Sequence, residues 1–206
     1  SHCNAIKMGT ESIGGFKNVT ISNIVVKPSE SKTKIYGFHG GISGITLGLV
    51  DGGILEGVLI NNIKIDGPQV PIYLRLGNRG RTIRKGMEKP KVGVFKDVSI
   101  NNIIATNTGQ IGCSITGLQS HPIENVSLSN IQITFKGGIT EKIDPNVPEL
   151  EDHYPESTMY GILPSYGFFV RHVKNITFSN IDLRLENEDV RPDYIFEDVD
   201  GLKQNN

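Results

Sequence analysis

The chain has 206 residues, a formal charge of −1, 24 glycines, two cysteines and no tryptophan. That length suits one domain with a continuous core, and the near-balanced charge, with acidic and basic residues interspersed, predicts neither a nucleic-acid nor an anionic-membrane partner. Abundant Gly, Val, Ile, Thr and Asn, without a long 3.6-residue periodicity, argue for many short strands joined by tight turns rather than a helical bundle.

In chain order, strand-like sequence begins with NAIKMG at 4 to 9 and continues with NVTISNIVV at 18 to 26. GITLGLV (44 to 50), GVLINNIKI (57 to 65), PIYLRLG (71 to 77) and DVSINNIIA (97 to 105) follow, then CSITGL (113 to 118) and NVSLSNIQI (125 to 133). A stretch rich in proline and carboxylates, about 136 to 165, reads as one long ordered loop, after which come YGFFVRHV (166 to 173) and NITFSNIDL (175 to 183).

Alternate members of this series repeat one pattern, a strand broken by Asn23, Asn62, Asn102, Asn130 or Asn180, at intervals of 39, 40, 28 and 50 residues. Within a copy, Val19 and Ile21 share one face and Thr20 and Ser22 the other. The asparagine then turns the chain, because Asn tolerates the left-handed region and bonds neighbouring backbone. Three strands and a corner asparagine make one coil. About five such coils predict an all-β fold, a right-handed parallel β-helix forming a single domain over residues 1–206, with the asparagines stacked in a ladder. A leucine-rich repeat competes, but its period stays within about 20 to 29 residues and its Asn spacing differs.

Two cysteines so far apart define no disulfide; Cys3 and Cys113 are read as small buried apolar residues. The chain as given shows no signal-peptide pattern and no apolar run of about 18 residues. The chain opens in strand-like sequence and so reads as the C-terminal part of a longer β-helix. Its N-terminal coil face is then expected to pack on a missing segment or another chain.

The runs SHCNAIKMGTESIGGFKNVTISN, GISGITLGLVDGGILEGVLINNI, PIYLRLGNR, SITGLQSHPIENVSLSNI and YPESTMYGILPSYGFFVRHVKNITFSNI resemble the C-terminal half of bacterial glycoside hydrolase family 28 proteins. These are polygalacturonases and rhamnogalacturonan hydrolases, β-helices that hydrolyse pectin with inversion. The resemblance spans nearly the whole chain. It implies a secreted or periplasmic pectin hydrolase that uses no cofactor or metal and takes a pectic oligo- or polysaccharide as partner. Its acid and base would be aspartates upstream of residue 1, set apart to admit a water. His2, in Ser1-His2-Cys3, resembles the family's Gly-His-Gly histidine that supports the acid pair. The family's carboxylate-binding Arg-Ile-Lys would fall near Gly44-Ile45-Thr46, which carry no cation, so Arg75 or Arg79 is the candidate replacement. A non-catalytic carbohydrate-binding β-helix and a polysaccharide lyase on the same fold are the competing functions.

Lys7 alternates outward in its strand and is a candidate sugar contact, as are Tyr73 and Arg75, which share the face opposite Ile72, Leu74 and Leu76. An outward aromatic beside a guanidinium can stack on a pyranose and fork onto a carboxylate. Asp51 and His121 read as turn residues. Arg171 and His172, being adjacent, should point to opposite faces, so that at most one reaches a groove. Glu149, Glu151, Asp152 and Glu156 form a carboxylate cluster in the long loop without calcium-loop spacing, read as a solvated border of the substrate cleft. The sequons at Asn18, Asn125 and Asn175 fall inside the repeat, which explains them without glycans.

Overall fold

A computed structural model describes residues 3–28 and 40–205. Every regular element among them is a strand: β1 (Ile6–Met8), β2 (Gly15–Val26), β3 (Gly41–Leu49), β4 (Ile54–Asp66), β5 (Pro68–Leu76), β6 (Val94–Thr108), β7 (Cys113–Thr116), β8 (Ile123–Gly137), β9 (Phe168–Asn187) and β10 (Tyr194–Asn205). All pairings between them are parallel. Odd-numbered strands stack in the order β1-β3-β5-β7-β9 and even-numbered ones in the order β2-β4-β6-β8-β9. The 20-residue β9 joins the two rows, pairing first with β7 and then with β8, and β10 lies on its outer edge. Strands so connected wind round one axis as a parallel β-helix, as the repeat predicts.

The residue pattern shows how each long strand bends. In β6 the buried residues are Phe95, Val98, Ile100, Ile103, Ala105 and Thr108, spaced alternately by three and two. Within a straight segment the spacing is two, because successive side chains point to opposite faces. The extra residue at each bend is Asp97, Asn102 or Asn107, with φ 56°, 53° and 53°. A left-handed residue there turns the backbone without moving the apolar set off the interior face. Positions equivalent to Asp97 and Asn102 in β2, β4, β8 and β9 carry Asn18 and Asn23, Gly57 and Asn62, Asn125 and Asn130, and Asn175 and Asn180, all with positive φ. Each of these coils therefore has at least two such corners, where the sequence pattern disclosed one.

Register between coils is kept through these corners and shifts at the end of β6, between Ala105 and Thr108. Val19, Val58, Val98, Val126 and Ile176 form one interior column, and Ile21, Ile60, Ile100, Leu128 and Phe178 another. At the corner, Asn62 donates to Asn23 Oδ1 (3.1 Å), Asn102 to Asn62 Oδ1 (3.1 Å), Asn130 to Asn101 Oδ1 (3.0 Å) and Asn180 to Asn130 Oδ1 (2.7 Å). The second corner has its own rungs, Asn125 to Asp97 (2.7 Å) and Asn175 to Asn125 (3.1 Å). Two of the three sequon asparagines thus use their amide nitrogens in the scaffold. Cys113 is buried in the core, as read, whereas Cys3 is exposed, and neither is in a disulfide.

Residues 138–167 contain no regular element, and this strap returns across the outward face of the odd-numbered row. A small second core marks where it lands: Val70, Tyr73, Ile111 and Phe169 from the helix against Leu163, with Val147, Met159, Tyr160 and Ile162 beside them. Gly48 lies where Pro155 crosses, close enough that a Cβ there would sit 3.3 Å from Pro155 Cγ.

Candidate functional site

The strap decides which outward residues of the odd row meet solvent. Tyr73 and Arg75 do point away from the interior, yet both are buried, Arg75 to 1% exposure. This corrects their reading as an open sugar-binding surface. Burial pushes the Tyr73 phenol well above its ordinary value, and its hydroxyl donates to Met159 Sδ. Arg75 gives its guanidinium to Glu149 O (2.7 Å), Leu150 O (3.2 Å), Thr116 Oγ1 (3.2 Å) and Gly117 O (3.3 Å). It fastens the strap. Nothing near Arg75 in sequence could disclose this, because its partners lie 41 to 75 residues on.

Arg171 does the same two positions further along the column, beyond Thr116, donating to Val147 O (2.6 Å) and Pro148 O (3.1 Å). The expectation that His172 must face the other way fails because His172 has φ 54°, so alternation stops at that residue. Both side chains reach Glu149, Arg171 Nε at 3.3 Å and His172 Nε2 at 3.1 Å. His172 Nδ1 lies 2.6 Å from Asp198 on β10, tying strap, β9 and β10 together. These residues, with Glu149, hold the strap and do not line an open cleft. His121 sits in an exposed turn beside Ser120, as read.

Where the strap ends, at the β1 and β3 rim of the row, polar residues do meet solvent. Lys7 Nζ lies 3.1 Å from the Tyr154 hydroxyl, 4.0 Å from Glu156 Oε2 and 4.8 Å from the Tyr154 ring centroid. Asn4 Nδ2 donates to Glu156 Oε2 (3.4 Å), and Asn4 Oδ1 accepts from Ser43 and Thr46. Arg79 Cζ is also near Tyr154, 5.5 Å from the ring centroid. Tyr154, 48% exposed, therefore has two cations beside its ring.

Arg79 is itself fixed from below. Asp51, 1% exposed, accepts from Arg79 Nε (2.9 Å) and Nη2 and from the Arg81 backbone N–H (2.9 Å). The turn residue of the sequence reading is thus the anchor of the loop one coil further on. Its hydrogen bond to Arg79 holds that guanidinium more firmly protonated. Burial works against charge on Glu11, but bonds and charge from Arg79 and Arg81 hold its carboxyl below the ordinary value.

Of the residues proposed from sequence, Lys7 and Arg79 come together at this rim, Tyr73 and Arg75 lie beneath the strap, and His2 falls outside the described residues. Tyr154 and Asp51 are the members that sequence reasoning missed. Of the loop carboxylates, Glu156 is buried at the rim rather than solvated, while Glu151 and Asp152 are exposed. Among the described residues no group of three or more His, Cys, Asp or Glu side chains is placed to hold a metal ion.

The fold and this rim define a parallel β-helix protein with one strapped face and a polar, aromatic-bearing edge. Compared with known families, with characterised proteins and with solved structures, the chain shows no match.

Proposed function

We propose that the chain is the C-terminal portion of an inverting glycoside hydrolase acting on pectic polysaccharide, galacturonan or rhamnogalacturonan, and that it grips the polymer at the Lys7–Tyr154–Arg79 rim. The observation that carries this reading is Tyr154, an exposed ring with two cations beside it. A pyranose presents apolar C–H faces that stack on such a ring, while its hydroxyls and carboxylate take hydrogen bonds from ammonium and guanidinium groups. The family resemblance supports the same reading and places the acid and base on coils preceding residue 1.

Inversion requires two carboxyl groups roughly 6.5–9.5 Å apart, one protonating the leaving oxygen and one activating water. The rim carboxylates are committed elsewhere: Asp51 to Arg79, Glu11 to Arg79 and Arg81, and Glu156 to Asn4 and Lys7. Their engagement favours a binding role for this rim, and it is the specific support for the second reading, a non-catalytic carbohydrate-binding β-helix.

Reducing-end release from homogalacturonan and rhamnogalacturonan separates the two. The 206-residue chain alone should release none, a form extended upstream should release them, and His2→Ala in that form should lower the rate. An extended form that binds but never cleaves leaves the binding reading standing; turnover by the isolated chain would overturn the upstream placement of the acids.

A further inference from the structure

The resemblance places carboxylate recognition on the sheet, yet the arginines of the odd-numbered row and of the turn after β5 are engaged internally. Arg75 and Arg171 hold strap carbonyls, and Arg79 holds Asp51 and Glu11. Beyond Arg79 and Arg81, which pair with Asp51 and Glu11, more positive charge lies in the segment joining β5 to β6. Between residues 79 and 91 it carries Arg79, Arg81, Arg84, Lys85, Lys89 and Lys91 against a single carboxylate, Glu88. All of 81–89 is exposed, and Lys91 with it.

This loop is presented rather than merely solvated. Its root is held by the buried Asp51, which takes both the Arg79 side chain and the Arg81 backbone N–H. Lys89 Nζ donates to Asn78 O (3.2 Å) at the base, closing the two limbs of the loop on each other. Arg84, Lys85 and Lys91 make no ion pair among the described residues. Ile83, 63% exposed, and Met87 add apolar surface between the cations. Through Arg79 the root adjoins the Tyr154 ring, so the charged loop continues the rim.

We infer that the 79–91 loop is the carboxylate-reading element of this protein, binding a run of consecutive uronates whose next sugar stacks on Tyr154. This rests on the carbohydrate reading of the rim. A polyuronate fits better than other polyanions because exposed cations, apolar side chains and a stacking ring lie along one edge. Sugar rings bearing a carboxylate on each unit need all three. Lysine and arginine on a loop gain most from a polymer that presents many carboxylates, and that gain falls with salt.

Calorimetric titration with a hexagalacturonate, with its methyl-esterified form and with an uncharged galactan hexamer tests this. The hexagalacturonate should bind about tenfold more tightly than either uncharged sugar, with an advantage that shrinks as salt rises. Arg84→Ala/Lys85→Ala should lose most of that advantage while leaving galactan binding and the thermal midpoint unchanged. Tyr154→Ala should weaken all three sugars. If hexagalacturonate binds but Arg84→Ala/Lys85→Ala binds it equally well, the loop assignment is overturned and the rim reading stands. If no sugar binds while duplex DNA or anionic phosphatidylserine vesicles do so through Arg84 and Lys85, both are overturned.

Discussion

At the scale of single residues, the corner asparagines meet two demands that few side chains meet together. Asn102 occupies φ 53°, where a Cβ is normally unfavourable by about 1–2 kcal/mol, and its amide donates to the coil before it. Alanine fails both demands; glycine fails only the second. Asn102→Ala should therefore lower stability by about 1–2 kcal/mol in urea unfolding, with Asn102→Gly losing less. If the two variants are equally destabilised, backbone conformation is not what the asparagine supplies. The ladder at Asn23, Asn62, Asn102, Asn130 and Asn180 was legible in the sequence because one residue type recurs. The second corner was hidden because its positions are filled by Asn18, Gly57, Asp97, Asn125 and Asn175, three chemistries with one backbone conformation. The usable signal was the three-residue step from Phe95 to Val98 and from Leu55 to Val58, which strict alternation does not produce.

Elements are held by contacts of a different kind, and there the sequence is less informative. Strands β3, β5 and β7 declare themselves through alternation, but the strap that covers them is fastened by arginine to backbone carbonyl, a contact with no residue-type signature at the acceptor end. Arg75 therefore looks the same in sequence whether it faces sugar or the carbonyls of Glu149 and Leu150. The turn between β9 and β10 rests on a similarly enclosed pair. Arg191 donates to Asp189 (2.8 Å and 2.9 Å), with both side chains almost wholly out of solvent, and also to Leu163 O (3.0 Å) in the strap. Burial raises the Asp189 carboxyl, but the bonds from Arg191 and the Ile139 N–H outweigh it and leave it below its ordinary value of 3.8. A carboxyl lowered in the folded state stabilises fully above the unfolded value and loses that contribution as pH falls through the folded one. Asp189→Asn should thus cost about 3 kcal/mol near neutrality, and the gap from the native protein should narrow as pH falls below the ordinary carboxyl value of 3.8. Urea unfolding of both proteins across pH 2 to 7 checks it; a gap independent of pH would remove the charged pair from the explanation.

For the whole molecule, a solenoid makes stability a chain of nearest-neighbour interfaces, because each coil buries its apolar set only against the coils beside it. The middle coils are covered on both sides: Ile60, Ile100 and Leu128 are fully buried. In β10 the corresponding residues are only partly buried, and Leu202 is exposed. Local opening should therefore begin at β10 and reach the centre last. Amide exchange should be fastest in β10, slower in β9 and slowest in β4, β6 and β8. The thiols give an independent reading of the same gradient. Cys113 sits in the core between β5 and β9, where burial pushes its thiol far above the ordinary range and so suppresses the thiolate that reacts. Cys3 is exposed. A thiol reagent at pH 8 should modify one cysteine of the native protein promptly, and Cys113 only at the rate at which the central coils open. Raising urea should accelerate Cys113 labelling with the denaturant dependence of global unfolding, since no small opening uncovers a residue enclosed by both rows. Labelling of Cys113 with the weak urea dependence of β10 exchange would instead mean that the coils separate singly, and that the stack is held by rungs too independent to act as one core.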